Sequence, residues 1–332
     1  MRILISNDDG IHARGIALLT MAARRAFGDE ADIVVIAPAE ERSGYSHRIS
    51  LGELHVDTVD PREAMAHEPG EPTATTAYRV DGTPADCVRL ALARGGPLDR
   101  ARSGFFASRN MPRATTRPAA DWLPDLVLAG VNHGANFGHD LHYSGTVGVA
   151  AEAAGFGVPA VAFSRLRQSH DMILDEVGPL ADVVSALLVA WLEDGTLSRE
   201  RTAPGGGNVL LNVNFPTIHA SEYRGVRVTR VAGYCYAEHF ERTGRAGRVG
   251  RGDGVDGVDG VDGDYLAIRE GSVASEDLPP GSPDVLPGNV WTDEQAVREN
   301  FVSVTPLTID WTRYAHLGNL GSRCDDWWGR VR

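Results

Sequence analysis

PDLVLAGVNHGANFGHDLHYSGTVGVAAEAAGFGVPAVAFS, residues 124–164, reads as a strand, a glycine-rich loop, a helix and a second strand in succession. PDLVLAGVN and PAVAFS are short apolar runs of the kind that form strands buried on both faces. GTVGVAAEAAGFG between them is a helix of small residues, which must pack closely on its neighbour. The same alternation continues on both sides. RILIS (2–6) is a strand, and ARGIALLTMAARRAF (13–27) a helix with its stop at Gly28. ADIVVIAP (31–38) is a strand ended by Pro38, and TPADCVRLALARGG (83–96) a helix with Thr83 at the cap and Pro84 at its first position. Beyond the central stretch, residues 172–194 form a long amphipathic helix and NVLLNVNFP (208–216) a strand. Strands alternating with helices predict an α/β fold, a doubly wound and mainly parallel sheet covered on both faces. Right-handed crossovers then put every strand's carboxyl end on one edge of the sheet.

That edge gathers the polar residues. Asp8 and Asp9 follow the first strand, Ser43 lies just past the second, and Asn132 closes the strand that opens the quoted stretch. Two carboxylates, a hydroxyl and an amide carbonyl suit a hard divalent ion such as Mg²⁺ or Mn²⁺. Neighbours in a strand point to opposite faces, so Asp8 and Asp9 share an ion only if the chain curls, and Gly10 gives it that freedom. Read alone, the pair is equally a turn with one carboxylate capping the next helix. Ser144, Gly145 and Thr146 stand at a helix N-terminus, where free N–H groups and the helix dipole favour an anion such as phosphate; an ordinary capped helix start would look the same. A metal site beside an anion site points to phosphate-ester chemistry with water activated by the metal. His139 and His142 fall in the loop before the helix, where a zinc pair is not expected. His12 and His47 lie near the edge, where either could assist proton transfer, though a solvated loop residue is the plainer reading of each.

The chain has 332 residues and a formal net charge of −13, which argues against a polyanion partner such as DNA or RNA. Its three cysteines, Cys87, Cys235 and Cys324, are scattered and read as reduced thiols. The sequence enters its first strand at Arg2 with no apolar signal segment, and no run nears the roughly 18 apolar residues of a membrane span. The expectation is a cytoplasmic protein. After about residue 220 the pattern changes, which predicts a core over 1–220 and a C-terminal extension over 221–332. GDGVDGVDGVDGD (252–264) reads as a solvated loop, as do 59–76 and 99–120. DYLAIREGSVAS (264–275) echoes DEQAVRENFVSV (293–304), a duplication or a coincidence.

ISNDDGIHARGI (5–16), APAEERSGYSHRIS (37–50), VDGTPADCVRLAL (80–92), the 124–164 stretch, NVNFP (212–216) and AVRENFVSVTPL (296–307) resemble, in this order, the SurE family of survival-protein phosphatases. The resemblance implies a Rossmann-like core whose C-terminal extension makes contacts in a homodimer or homotetramer. It implies a 5′/3′-nucleotidase that releases phosphate from nucleoside monophosphates, some members also cleaving short polyphosphate. One divalent ion per subunit, Mg²⁺ or Mn²⁺, is implied on Asp8, Asp9, Ser43 and Asn132, with Asp8, Asp9 and Asn132 in the catalytic centre. Asn7, Asn136, Ser144, Gly145 and Thr146 match positions that line the family's phosphate site. The segments 59–76, 99–120 and 243–292 are longer than the compact family pattern, in regions that shape substrate access. A phosphatase of this type acting on a non-nucleotide or specialised-metabolite phosphate ester is therefore the alternative, and a nucleotide-binding module without turnover a further one. An aspartyl-phosphate enzyme needs two aspartates two residues apart, where this chain has Asn7 and Asp9.

Overall fold

The structure, a computed structural model, describes residues 1–64, 74, 76–92, 123–166, 177–198, 209–233, 237–246, 263–271 and 290–310. Its strands are β1 (Arg2–Ser6), β2 (Asp32–Pro38), β3 (Val56–Val59), β4 (Thr76–Val80), β5 (Leu126–His133), β6 (Ala160–Arg165), β7 (Leu210–Phe215), β8 (Val226–Val228), β9 (Ala237–Ala246), β10 (Gly263–Gly271) and β11 (Val302–Pro306). The helices between them are α1 (Arg14–Phe27), α2 (Pro61–Ala64), α3 (Pro84–Leu92), α4 (Gly145–Gly155), α5 (Val177–Glu193) and α6 (Asp293–Arg298).

Side-chain alternation in the strands sets the layers. Ile3, Ile5, Ile33 and Val35 face one side of the sheet and pack with Ile16 and Leu19 of α1 and with Val184 and Leu188 of α5. Leu4, Val34, Ile36 and Val127 face the other and pack with Val88 and Ala91 of α3 and with Val149 and Ala153 of α4. Each such side chain, fully buried, contributes roughly 1.5–3 kcal/mol, so the layers are held mainly by this apolar surface.

The sheet has nine strands in the order β3-β4-β2-β1-β5-β6-β7-β11-β8. From β4 to β7 all neighbours are parallel. β3 is antiparallel to β4 and β11 to β7, while β8 runs parallel to β11. The chain therefore winds one way from β1 through β2 to β4 and the other way from β5 to β7. The order reverses between β1 and β5, which is where doubly wound sheets open a crevice for ligands.

The expected doubly wound sheet and its principal strands and helices are present, and the additions have physical reasons. The segment 59–76 was expected as loop, yet Val59 ends β3 and Pro61–Ala64 form α2, with Arg79 of β4 held to Asp57 of β3 at 2.7 Å. β8 and β11 arise beyond residue 220 and complete the same sheet as the core. β9 and β10 pair antiparallel as a separate two-stranded sheet, one strand on each side of the run 252–262. The echo of 264–275 in 293–304 is not a structural repeat over its described part, since 264–271 lie in the strand β10 and the matching 293–298 form the helix α6. Residues 65–73, 99–120, the run 252–262, Cys235 and Cys324 lie outside the described residues.

Candidate active site at the β1–β5 switch point

β1 ends at Ser6, and the chain then turns instead of continuing as strand. Asn7 makes the turn: its side-chain nitrogen donates to Gly10 O at 2.9 Å and its side-chain oxygen accepts from Gly10 N at 3.2 Å. Gly10 has φ +99°, a left-handed backbone that suits glycine. Asn7 is fully buried, and both ends of its side-chain amide are bound to Gly10 in this turn, next to Asp8 and Asp9.

Asp8 reaches α4. Its carboxylate accepts a short hydrogen bond from the Thr146 hydroxyl, and the backbone amides of Gly145 and Thr146 also face it. The small residue at 145 allows this approach: a Cβ there would lie 2.7 Å from the Asp8 Cβ and 2.8 Å from its Oδ2. Ser144 caps the helix as its spacing predicts, its Oγ accepting from Val147 N at 3.1 Å. Thus the helix N-terminus expected to favour an anion already faces one, the carboxylate of Asp8. Asp9 accepts from the His133 amide at 3.3 Å, which ties it to the end of β5.

Burial pushes the Asp8 carboxyl above the ordinary aspartate range, against the pull of the Thr146 hydroxyl and the helix amides. Asp9 is pushed up to about 7, first by burial, then by the charge of Asp8, with a further push from Glu41. The charges acting on Asp9 are thus negative, and a cation at this point would relieve them.

Asn132 lies beyond a register shift between Ala129 and Asn132, an irregularity of the kind that re-aims side chains beside active sites. Its amide nitrogen donates to Gly134 O at 2.9 Å, which leaves the carbonyl oxygen as the end suited to a cation. Ser43 sits on the segment after β2, exposed, its hydroxyl donating to Glu41 Oε1 at 2.9 Å. That segment is held against Asp8 by the Arg42 amide, which donates to Asp8 O at 2.7 Å.

Asn136 is a buried residue of the loop that leads from β5 to α4. Its side-chain nitrogen donates to Ser164 Oγ at 2.7 Å and its amide to Asn214 Oδ1 at 2.8 Å, while its carbonyl accepts from Asn212 (2.8 Å) and Asn214 (3.0 Å). These supporting residues were not foreseen, though two asparagines two apart in an apolar strand place both amides on one face, which is a legible signal. His139 and His142 fall on a single helical turn, Gly138–His142, their rings 6.0 Å apart. Among the described residues no group of three or more His, Cys, Asp and Glu could hold a metal ion. A metal at the switch point would therefore rest on Asp8 and Asp9 with neutral oxygen donors. Also among the described residues, no helix is long and apolar enough to cross a membrane.

The survival protein SurE family model matches residues 3–238. A 5′-nucleotidase SurE of Aeromonas hydrophila is 32% identical over 335 residues, spanning 98% of this chain and 99% of that protein. One from Methylococcus capsulatus is 35% identical over 322 residues, with 97% of each chain covered. The crystal structure of a SurE protein from Aquifex aeolicus superposes with a TM-score of 0.58 at 26% identity, over 96% of this chain and 98% of that one. With its sequence matched over nearly its whole length and its sheet shared with a solved relative, the chain belongs to the SurE family.

Proposed function

We propose that this protein is a divalent-metal-dependent phosphomonoesterase that hydrolyses nucleoside 5′- or 3′-monophosphates to nucleoside and phosphate. The observation that carries the reading is the meeting of two adjacent carboxylates, Asp8 buried and Asp9 beside it, with the N-terminus of α4 at the switch point. It is supported by the relatives named 5′-nucleotidase SurE.

Asp8, Asp9, Ser43 and Asn132 would hold the ion, and their all-oxygen chemistry fits Mg²⁺ or Mn²⁺ better than softer metals. When bound, such an ion supplies a Lewis acid for the phosphoryl oxygens and lowers the pKa of water. The residues of the chain do the remaining work. The Thr146 hydroxyl fixes the Asp8 carboxylate, the His133 amide fixes that of Asp9, and the Asn7–Gly10 bracket sets the turn that presents both. The positive end of the α4 dipole favours the charge of a phosphoryl group brought beside Ser144, Gly145 and Thr146. Asn136, held by Ser164, Asn212 and Asn214, fixes the course of the loop that delivers that helix end. The subunit arrangement, a homodimer or homotetramer made through 221–332, rests on resemblance alone.

A phosphate-release panel over nucleoside 5′- and 3′-monophosphates, sugar phosphates and short polyphosphate, run with Mg²⁺, Mn²⁺ and Co²⁺, tests the reading. Nucleoside monophosphates are expected to give the highest metal-dependent kcat/KM. A sugar phosphate preferred over every nucleotide would move the assignment to another phosphate ester.

A further inference from the structure

We infer that Glu152 is a positioning residue for the segment that carries Ser43, acting through His47; the inference rests on the reading of Ser43 as a cation ligand. The segment runs from the end of β2 across α4 and is tied at intervals. The Arg42 amide donates to Asp8 O at 2.7 Å, and the Ser46 amide to Tyr143 O at 3.0 Å. The Ser46 hydroxyl donates to His142 O at 2.5 Å. Further on, the Thr83 hydroxyl donates to Arg48 O at 2.6 Å, and Ser50 gives Asp86 two hydrogen bonds, at 2.9 and 2.7 Å. Ser46 has φ +57°, a backbone that non-glycine residues seldom adopt, so outside ties must hold the bend.

The helix side has a pattern of its own. Gly145, Gly148 and Glu152 stand at i, i+3 and i+7 and so share one face of α4. A Cβ at 145 would strike Asp8, and one at 148 would lie 3.0 Å from Ser46 O and 3.3 Å from the His47 Cα. Where the Asp8 turn and the Ser43 segment lie on the helix, its face carries no side chains. Glu152 stands one turn beyond Gly148 on that face. Its carboxylate meets His47 Nε2 at 2.5 Å and accepts from Arg89 Nη1 of α3 at 3.1 Å. The Glu152 side chain is 12% exposed, against 44% for each partner, so it is the fixed post to which the arm is fastened. Two glycines let the segment approach and one carboxylate holds it there, which sets where Ser43 stands relative to Asp8 and Asp9.

The test reads half-saturating Mg²⁺ and Mn²⁺ from the rise in thermal midpoint, with KM and kcat for phosphate release from a nucleoside monophosphate in parallel. Glu152→Ala should raise the half-saturating metal concentration by roughly 10–100-fold, the range for losing a group that orients a metal ligand, with kcat at saturating metal near wild type. Glu152→Gln, which keeps an acceptor, should recover most of that loss. His47→Ala, made on the exposed segment without touching the helix, should reproduce it. Asp125→Ala breaks the 2.9 Å pair with Arg2 at the far end of β1 and measures the effect of a lost tie on the fold alone. Wild-type metal affinity in either Glu152→Ala or His47→Ala, or an equal loss in Asp125→Ala, would overturn the inference and leave the proposed function standing. No metal response in the wild type would overturn both.

Discussion

A carboxylate can sit inside a protein when backbone amides face it, and Asp8 and Asp293 use that device at two places. Asp8 takes the first amides of α4, as a capping group would, so the helix-cap and metal-site readings of the Asp8–Asp9 pair are compatible. Asp293, fully buried at the start of α6, accepts from Gly138 N at 3.2 Å and from Ala232 N and Glu294 N at 2.9 Å each. It joins the C-terminal region to the loop that leads into the site. Burial pushes its carboxyl up to about 6 in spite of these donors. The native state therefore holds a proton that the unfolded chain has released between about pH 4 and pH 6, where the unfolded value is 3.8. The contribution to stability is full below the unfolded value and is lost as pH rises through the folded one. In urea unfolding, the stability of Asp293→Asn relative to wild type should shift in the variant's favour by on the order of 2–3 kcal/mol between about pH 4 and pH 7. A difference that stays flat would exclude this ionisation as the cause.

Helices announce their ends in this chain. α3 begins at Pro84 after Thr83, as read, and the Thr83 hydroxyl accepts from Asp86 N at 3.2 Å while Asp86 accepts from Thr83 N at 2.8 Å. Because Thr83 also holds Arg48 O, Thr83→Ala should cost roughly 0.5–2 kcal/mol in thermal or urea unfolding, the range for a lost cap. A change within error would mean that Asp86 alone satisfies the helix start. Strands were legible where both faces are apolar, as in β1, β2, β5, β6 and β7, and less so elsewhere. β4 alternates Tyr78 and Val80 inward with Arg79 outward, and its Arg79 pairs with Asp57 of β3, so neither strand shows a continuous apolar run. β11 buries Ser303 and Thr305, which bond Thr229 Oγ1 at 2.7 Å each; their polarity hides a core strand.

For the molecule as a whole, the order of strands makes the site. Asp8, Asp9 and Asn132 belong to segments more than a hundred residues apart, and only the reversal between β1 and β5 brings the Asp9 carboxylate within 3.3 Å of the His133 amide. The carboxylates and the Ser144–Thr146 helix start were readable because parallel strands end on one edge. The arrangement in which Asp8 itself occupies that helix end was not, since it depends on the close approach at Gly145. Asn212 and Asn214 show by their spacing that they share a face, but that they meet Asn136 together with Ser164 was not readable, since it needs strands β6 and β7 side by side. Phosphate release from a nucleoside monophosphate by wild type and Asp9→Asn, each with chelator and with added Mg²⁺ or Mn²⁺, puts the whole reading at risk in a single assay. The wild type should release phosphate only with the metal, and Asp9→Asn, folded by circular dichroism, should stay at the chelated background. Release that ignores the chelator, or survives in Asp9→Asn, would contradict a metal-dependent centre at the β1–β5 switch point.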